Sequence, residues 1–294
     1  MSRRTDVCIG ISRIDKVFVI NELSSEIKSS SPKISIGLVV YNGAGHIRNA
    51  LDSIVRQAYR NIELIVVDGG SRDGTQNILH EYAEYISALV SEPDKGIYDA
   101  MNKVCLYATG DWLIFLGCDD VLLDAFGKIA ELMIDPDSVY YGDVIFRSSG
   151  NVYGGKFSKR RLARQNFCHQ AMFYPRSAYK KYSYSLDYKW LADYAYNIKL
   201  VGVGIPFVYV NEVVSLYNDK GGSSQGDLVF ENKKISLIRS SLGTMYAVLE
   251  ILRRLKVRWA DKAVKALGFV MKCLLPYSYW KYFQLLWRRI RKKY

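Results

Sequence analysis

Four short stretches that are apolar along almost their whole length, separated by segments of helical periodicity, constrain this chain more than any other feature. Residues 34–41, 63–67, 88–91 and 112–116 read as strands. Between them, Ile47, Leu51, Ile54, Val55 and Ala58 recur at helical spacing, residues 74–86 read as a second helix with Ser71 and Asp73 as possible caps, and residues 100–108 as a third. Strands that lack a polar face and alternate with helices belong to a parallel sheet covered on both sides. The expected fold class is therefore α/β, a Rossmann-like, mostly parallel sheet flanked by helices. Ligands of such sheets bind beyond the carboxyl ends of the strands. The polar clusters fall there: Asp68 to Gly74 follows the second strand and Asp119-Asp120 the fourth, so two acidic clusters converge on one rim.

After Pro136 the alternation weakens. A β-like stretch covers 139–146, a Tyr-rich helical part lies around 179–200, and a Gly/Ser stretch occupies 221–224. No internal repeat or low-complexity run is present. Residues 1–31 carry no strong pattern and end in a Ser-rich linker before Pro32. With 49% hydrophobic and 24% charged residues, disorder and collagen-like structure are excluded. The most apolar late stretch, 266–280, is interrupted by Lys272 and Pro276 and falls short of the roughly 20 residues of a spanning helix. Neither a membrane span nor a secretory signal is expected.

Asp119-Asp120 is the sharpest local feature. Adjacent carboxylates at the end of a buried strand are costly unless a cation or hydrogen bonds neutralise them. A hard divalent metal shared with a diphosphate would do so; the alternative is that one of them caps the helix containing Phe126, Ile129, Ala130, Leu132 and Met133. The Asp68–Thr75 loop has two readings as well: its glycines permit close backbone approach to a nucleotide, or make only a tight strand-to-helix turn. It is neither GxGxxG nor a P-loop. Cys118 precedes the acid pair, but His46, His80 and His169 lie far from it in sequence, and it reads as a small apolar residue at a strand end. Five cysteines without zinc-type spacing point to a reducing, cytoplasmic compartment.

Together these segments resemble the inverting nucleotide-sugar glycosyltransferases with the GT-A fold, family 2. The residues that carry the resemblance are Val39-Val40-Tyr41-Asn42-Gly43, the run from Val66 to Thr75, Glu92-Pro93-Asp94-Lys95-Gly96-Ile97-Tyr98-Asp99-Ala100-Met101-Asn102-Lys103, and Gly110 to Asp120. The third is similar to the subgroup that builds bacterial surface polysaccharides such as O-antigen, capsule or exopolysaccharide. His169-Gln170, Ala192-Asp193-Tyr194 and Gly221-Gly222-Ser223 are similar to its acceptor-side signatures. The resemblance covers about residues 33 to 240 and implies a donor site of Tyr41, Asn42, Asp68 on the uracil base, Gly70, Asp94, Asn102, and Asp119 near ribose and phosphate. It implies Asp120 on a Mn²⁺ or Mg²⁺ ion, Asp193 as general base, and His169 and Gln170 on the acceptor or diphosphate side. From the residue pattern alone, with Leu191, Ala192, Ala195 and Ile198 around it, Asp193 has the solvent-facing member of a helix as its lesser alternative. Three departures stand out: Gly117 and Cys118 replace the first Asp of a spaced DxD, Ala192 replaces an acid before the base, and Val104 replaces a glycine.

Charge completes the expectation. The formal net charge is +12, and residues 251–294 hold 13 Lys and Arg against one acid, Asp261, interleaved with aromatic residues. Such a tail suits an anionic membrane surface, with nucleic acid and a solvated helix as its alternatives. The expected organisation is an extension at 1–31, a GT-A domain at 32–245 and a basic aromatic helical tail at 246–294. The expected activity is transfer of a sugar from a nucleotide donor, UDP-linked, to a polyprenyl-diphosphate-linked glycan at the inner face of the cell membrane. The rival is a non-catalytic scaffold of a polysaccharide assembly complex.

Overall fold

A computed structural model describes residues 31–220 and 226–256. The expectations for 1–30, the 221–224 stretch and the tail beyond 256 lie outside the described residues. The first half alternates as expected: β1 (Ile34–Val40), α1 (Ile47–Val55), β2 (Ile62–Asp68), α2 (Thr75–Glu81), β3 (Ala88–Ser91), α3 (Ile97–Tyr107) and β4 (Trp112–Gly117). The second half follows as β5 (Val121–Leu122), α4 (Phe126–Leu132), β6 (Val139–Phe146), β7 (Val152–Tyr153), α5 (Lys159–Leu162), β8 (Met172–Pro175), α6 (Arg176–Tyr179), α7 (Ala192–Gly202), β9 (Phe207–Tyr217) and α8 (Leu228–Ser241). A last helix, α9, covers 244–256.

The sheet order is β3-β2-β1-β4-β8-β6-β9-β5, with β7 on β6. β3, β2, β1 and β4 are mutually parallel, β8 is antiparallel to both of its neighbours, and β6 and β9 run parallel. The mixed α/β sheet confirms the expected fold class. Alternate residues of β4 explain why its sequence shows no polar face: Leu113 and Phe115 enter the core beneath α3 and α7, while Trp112, Ile114 and Leu116 enter the one beneath α1 and α4.

Three extents differ from the sequence expectation. The second helix stops at Glu81 and is followed by a 3₁₀ turn at Ala83–Tyr85. The third begins at Ile97, three residues early, on Gly96 with φ 113°. The Tyr-rich 179–200 part divides into α6 and α7 around a loop, because its tyrosines pack into the core individually, without helical periodicity. β5, β8 and β9 carry no sequence signal strong enough to anticipate. The boundary expected at 245/246 falls inside α9.

A buried polar knot closes the amino ends of the strands, opposite the site. The Glu63 carboxylate accepts from Ser35 Oγ at 2.5 Å, Thr109 N at 2.5 Å, Thr109 Oγ1 at 2.6 Å and Gly110 N at 2.9 Å, and pairs with Lys33 Nζ at 2.6 Å.

Candidate active site

The carboxyl ends of β1 and β2 are laced together by side-chain bonds to the backbone. Asn42 N donates to Ser71 Oγ at 2.7 Å, Gly43 N to Thr75 Oγ1 at 2.9 Å, Ala44 N to Asp73 Oδ2 at 3.0 Å, and Arg72 N to Asn42 Oδ1 at 3.0 Å. Asn42 sits at φ 49°, a left-handed conformation that asparagine tolerates better than most residues. Neither expected cap closes α2, whose amino end is capped by Gly74 without a side-chain bond; Asp73 Oδ1 accepts Thr75 N at 3.1 Å one residue outside it, and Ser71 serves the β1 loop.

Behind this lacing, Asp68 is fully buried. It accepts from Ser71 N, from Ser91 Oγ at 2.7 Å and from Gln76 Nε2 at 3.2 Å. Tyr41, by contrast, stands 65% exposed at the rim. A methyl group placed on Gly69 would lie 2.5 Å from Asp94 Oδ2 and 3.3 Å from the Tyr41 ring, so these three residues crowd one point. Gly70 turns there at φ 82° against Pro93. Tyr41, Asn42, Asp68, Gly70 and Asp94 therefore form one lobe over β1 to β3. Asn102 is placed elsewhere. It lies inside α3 with its amide closed on the Tyr184 backbone, donating to the carbonyl at 2.9 Å and accepting from the N–H at 2.8 Å.

The other expected residues share a cavity of about 300 Å³ that Asp119, Asp120, His169, Gln170 and Asp193 line together with Tyr98, Asn166, Trp190 and Asn218. Asp120, 2% exposed, accepts from Asn218 N at 2.7 Å, Gln170 Nε2 at 3.1 Å and Gly117 N at 3.3 Å. Burial pushes its carboxyl up to about 6; the charge of Asp119 adds to this, and the Asn218 amide pulls the other way. Asp119 is less buried and accepts from Asn218 Nδ2 at 2.6 Å. The two carboxylates converge over Gly117: a methyl there would meet Asp120 Oδ2 at 2.8 Å and Asp119 Oδ1 at 3.0 Å. Neither caps the following helix, which opens on Ala125 without a side-chain cap.

Asp193 lies in the first turn of α7, only 6% exposed, so the solvent-facing alternative does not hold. Its Oδ1 accepts from Tyr98 Oη at 2.9 Å, its Oδ2 from Asn166 Nδ2 at 2.7 Å, and His169 Nδ1 lies 3.2 Å from Oδ2. The helix amino end adds positive potential. Burial and the Asp193 charge hold the Tyr98 phenol well above its ordinary range, so it stays a donor; its single hydrogen has a second acceptor in the Trp190 carbonyl at 2.7 Å. Burial pushes the Cys118 thiol up to about 12 and the Cys168 thiol still higher, away from the thiolate form that a nucleophile needs.

Sequence reasoning missed Asn166, Asn218, Gln76, Ser91 and Trp190, and gave Tyr98 no role although it quoted its segment. Only Tyr98 carried a signal, its place beside Asp94.

The family model described as Glycosyl transferase family 2 matches residues 35–193. A PGL/p-HBAD biosynthesis glycosyltransferase of Mycobacterium bovis (strain BCG / Pasteur 1173P2) is 36% identical over 238 residues, covering 78% of this chain and 93% of that protein. An uncharacterized glycosyltransferase of Rickettsia prowazekii is 42% identical over 91 residues, 31% of this chain and 28% of that one. Among solved structures, S. aureus TarS 1-349 in complex with UDP-GlcNAc superposes with a TM-score of 0.59 at 18% identity, over 71% of this chain and 66% of that one. The mannosyltransferase PcManGT from Pyrobaculum calidifontis, in complex with GDP-Man and Mn²⁺, gives 0.54 at 18% identity over 92% and 91%. The last two likenesses concern the fold.

Proposed function

The chain belongs to glycosyl transferase family 2, and from that premise we propose that it moves a sugar from a UDP-linked donor to a lipid-linked glycan acceptor, with inversion, in bacterial surface polysaccharide assembly. The observation that carries this reading is the single cavity in which a triply hydrogen-bonded carboxylate, Asp193, faces a converging carboxylate pair, Asp119 and Asp120.

The lobe of Tyr41, Asn42, Asp68, Gly70 and Asp94 receives the nucleotide, with the exposed Tyr41 ring offering its face to a planar base. Asp119 and Asp120 fit a hard divalent cation: two oxygen donors of like charge converge, and the buried one has a raised pKa in the absence of a counter-ion. Among the described residues no cluster of three His, Cys, Asp or Glu is arranged to hold a metal, so the donor's diphosphate and water would complete the shell. Bound there, Mn²⁺ or Mg²⁺ would offset the charge of the departing diphosphate. Asn218 and Gln170 fix both carboxylates in place.

Asp193 takes the proton of the acceptor hydroxyl as that oxygen bonds to the anomeric carbon and the bond from that carbon to the diphosphate breaks. The proton ends on Asp193 and the electron pair on the leaving nucleotide diphosphate. Tyr98 and Asn166 hold the carboxylate aimed before the reaction. Attack opposite the leaving group inverts the centre. The basic segment 251–294 supports a peripheral seat at a membrane carrying the acceptor, on the inner, cytoplasmic side. No helix among the described residues is long and apolar enough to cross one.

The test uses radiolabelled nucleotide sugars, a bacterial lipid extract as acceptor source, and Asp193→Asn. Label should pass into the lipid phase with the wild type and fall at least about a hundredfold with the variant, while nucleotide binding persists. Transfer at the wild-type rate by Asp193→Asn would remove Asp193 from the chemistry.

A further inference from the structure

Helix α9 carries apolar residues on both of its sides. Its inward side packs Ala247 and Tyr246 on the core and holds Glu250, 1% exposed, with Arg253 and Arg254 partly exposed beside it, whereas Met245, Val248, Leu249, Ile251, Leu252 and Leu255 stand exposed on the outward side. The inward groups are fully engaged. Glu250 accepts from Arg253 Nε and Nη2, both at 2.7 Å, and from Arg254 Nε at 3.1 Å, while Arg254 Nη2 reaches Glu231 on α8 at 2.6 Å. Packing of Ala247 and Tyr246, with the Arg254–Glu231 and Lys234–Glu250 pairs to α8, joins α9 to the domain and leaves an apolar stripe facing outward, with Met245 61% and Leu252 56% exposed.

Beside the stripe lies a cavity of about 160 Å³ between α5 and α9, lined by Arg160, Arg164, Tyr246, Leu249, Glu250 and Arg253. Its one acid, Glu250, is already neutralised by Arg253 and Arg254. The exposed guanidinium groups of Arg160 and Arg164 have no carboxylate partner among the described residues. Such forks match a phosphate group geometrically as well as electrically.

Charge selects the occupant. Arg160 and Arg164 line the cavity beside the stripe, Lys256 ends α9, and the chain runs on through ten more Lys and Arg and one acid between residues 257 and 294. Two copies joined by this face would bring positive against positive, whereas an anionic bilayer complements both the stripe and the arginines. We infer that the α9 stripe and the Arg160–Arg164–Arg253 cavity form a membrane-docking surface on the folded domain. The stripe enters the headgroup layer and the cavity seats the phosphate of an anionic lipid. The inference rests on the membrane-borne acceptor of the proposed reaction and adds a defined site to it: α5 leads directly into Asn166, which holds Asp193, so docking fixes the catalytic cavity beside the bilayer.

The test is flotation of the full chain with vesicles of phosphatidylcholine, with and without phosphatidylglycerol. It compares wild type, Arg160→Gln/Arg164→Gln, Leu249→Ser/Leu252→Ser, and a remote control of equal charge loss, Arg56→Gln/Arg60→Gln. Calorimetric UDP binding by each protein verifies its fold and donor site. Wild type should float only with phosphatidylglycerol, the cavity and stripe variants should each bind at least about tenfold more weakly, and the control should change less than about threefold. Equal losses in cavity variant and control would replace the site with diffuse attraction. Wild-type binding by the stripe variant would assign docking to the chain beyond 256, and self-association without flotation would make the stripe a contact between copies. Each of these overturns the inference. A wild type that floats as expected yet transfers no sugar would overturn the proposed reaction instead.

Discussion

Replacing Glu63 by Gln tests whether the polar knot beneath the sheet stabilises the scaffold without taking part in the chemistry. Burial alone would raise the Glu63 pKa, but hydrogen bonds from Lys33, Ser35 and Thr109 outweigh it and bring the carboxyl from 4.5 down to about 2. That fall corresponds to about 3 kcal/mol favouring the ionised folded form. Because the folded pKa is depressed, the contribution is complete above about pH 4.5 and is lost as pH falls towards 2. A glutamine can keep its oxygen at the Oε1 position for Ser35, Thr109 N and Gly110 N, but it then puts an amide N–H₂ at the Oε2 position against the Lys33 ammonium, so the ion pair is lost and two donors face each other. Glu63→Gln should therefore be about 2 to 4 kcal/mol less stable at pH 7. The gap should shrink as pH drops from 5 to 2, since only the wild type loses the ionised carboxylate. Urea unfolding of both proteins across this range reads the difference directly. A penalty below about 0.5 kcal/mol at pH 7, or one independent of pH, would refute the reasoning.

Three further outcomes follow from the site. Tyr98→Phe removes one donor that orients Asp193, so kcat should fall about tenfold with donor KM unchanged; an unchanged kcat would deny the contact a role in the reaction. Gly69→Ala brings a methyl to within 2.5 Å of Asp94 Oδ2 and should weaken nucleotide binding about tenfold, measured calorimetrically, with less than about 1 kcal/mol lost in stability. Cys118→Ala should retain transfer at pH 7, and the wild type should resist thiol alkylation there, as burial keeps this thiol protonated up to about pH 12.

What the sequence made legible follows from its physics. β1, β2 and β4 are buried on both faces, so their apolar runs are continuous and place Asp68, Asp119 and Asp120 at the strand ends without any knowledge of contacts. Asn218 shows the opposite case. It comes from the end of β9, about 100 residues after the carboxylates it holds, and a neutral amide has no spacing signature. Asn166 reaches Asp193 in the same way. Asn102 misled for a related reason, since inclusion in a recognised segment does not tell whether a side chain faces a ligand or, as here, the backbone of Tyr184. The orientation of α9 was hidden because helical periodicity reports a stripe but not which side meets the domain; that is settled by the core packing of Ala247 and Tyr246 and by the pairs from Arg254 and Glu250 to α8.

The most direct test of the central claim is calorimetric titration of UDP, GDP and dTDP into the intact protein with and without Mn²⁺, repeated on Asp120→Asn. Binding of UDP that requires the metal and weakens at least about tenfold in the variant is the predicted result. Protein shown to be folded that binds no nucleotide, with or without the metal, would contradict the account and leave the rim carboxylates as parts of a non-catalytic scaffold.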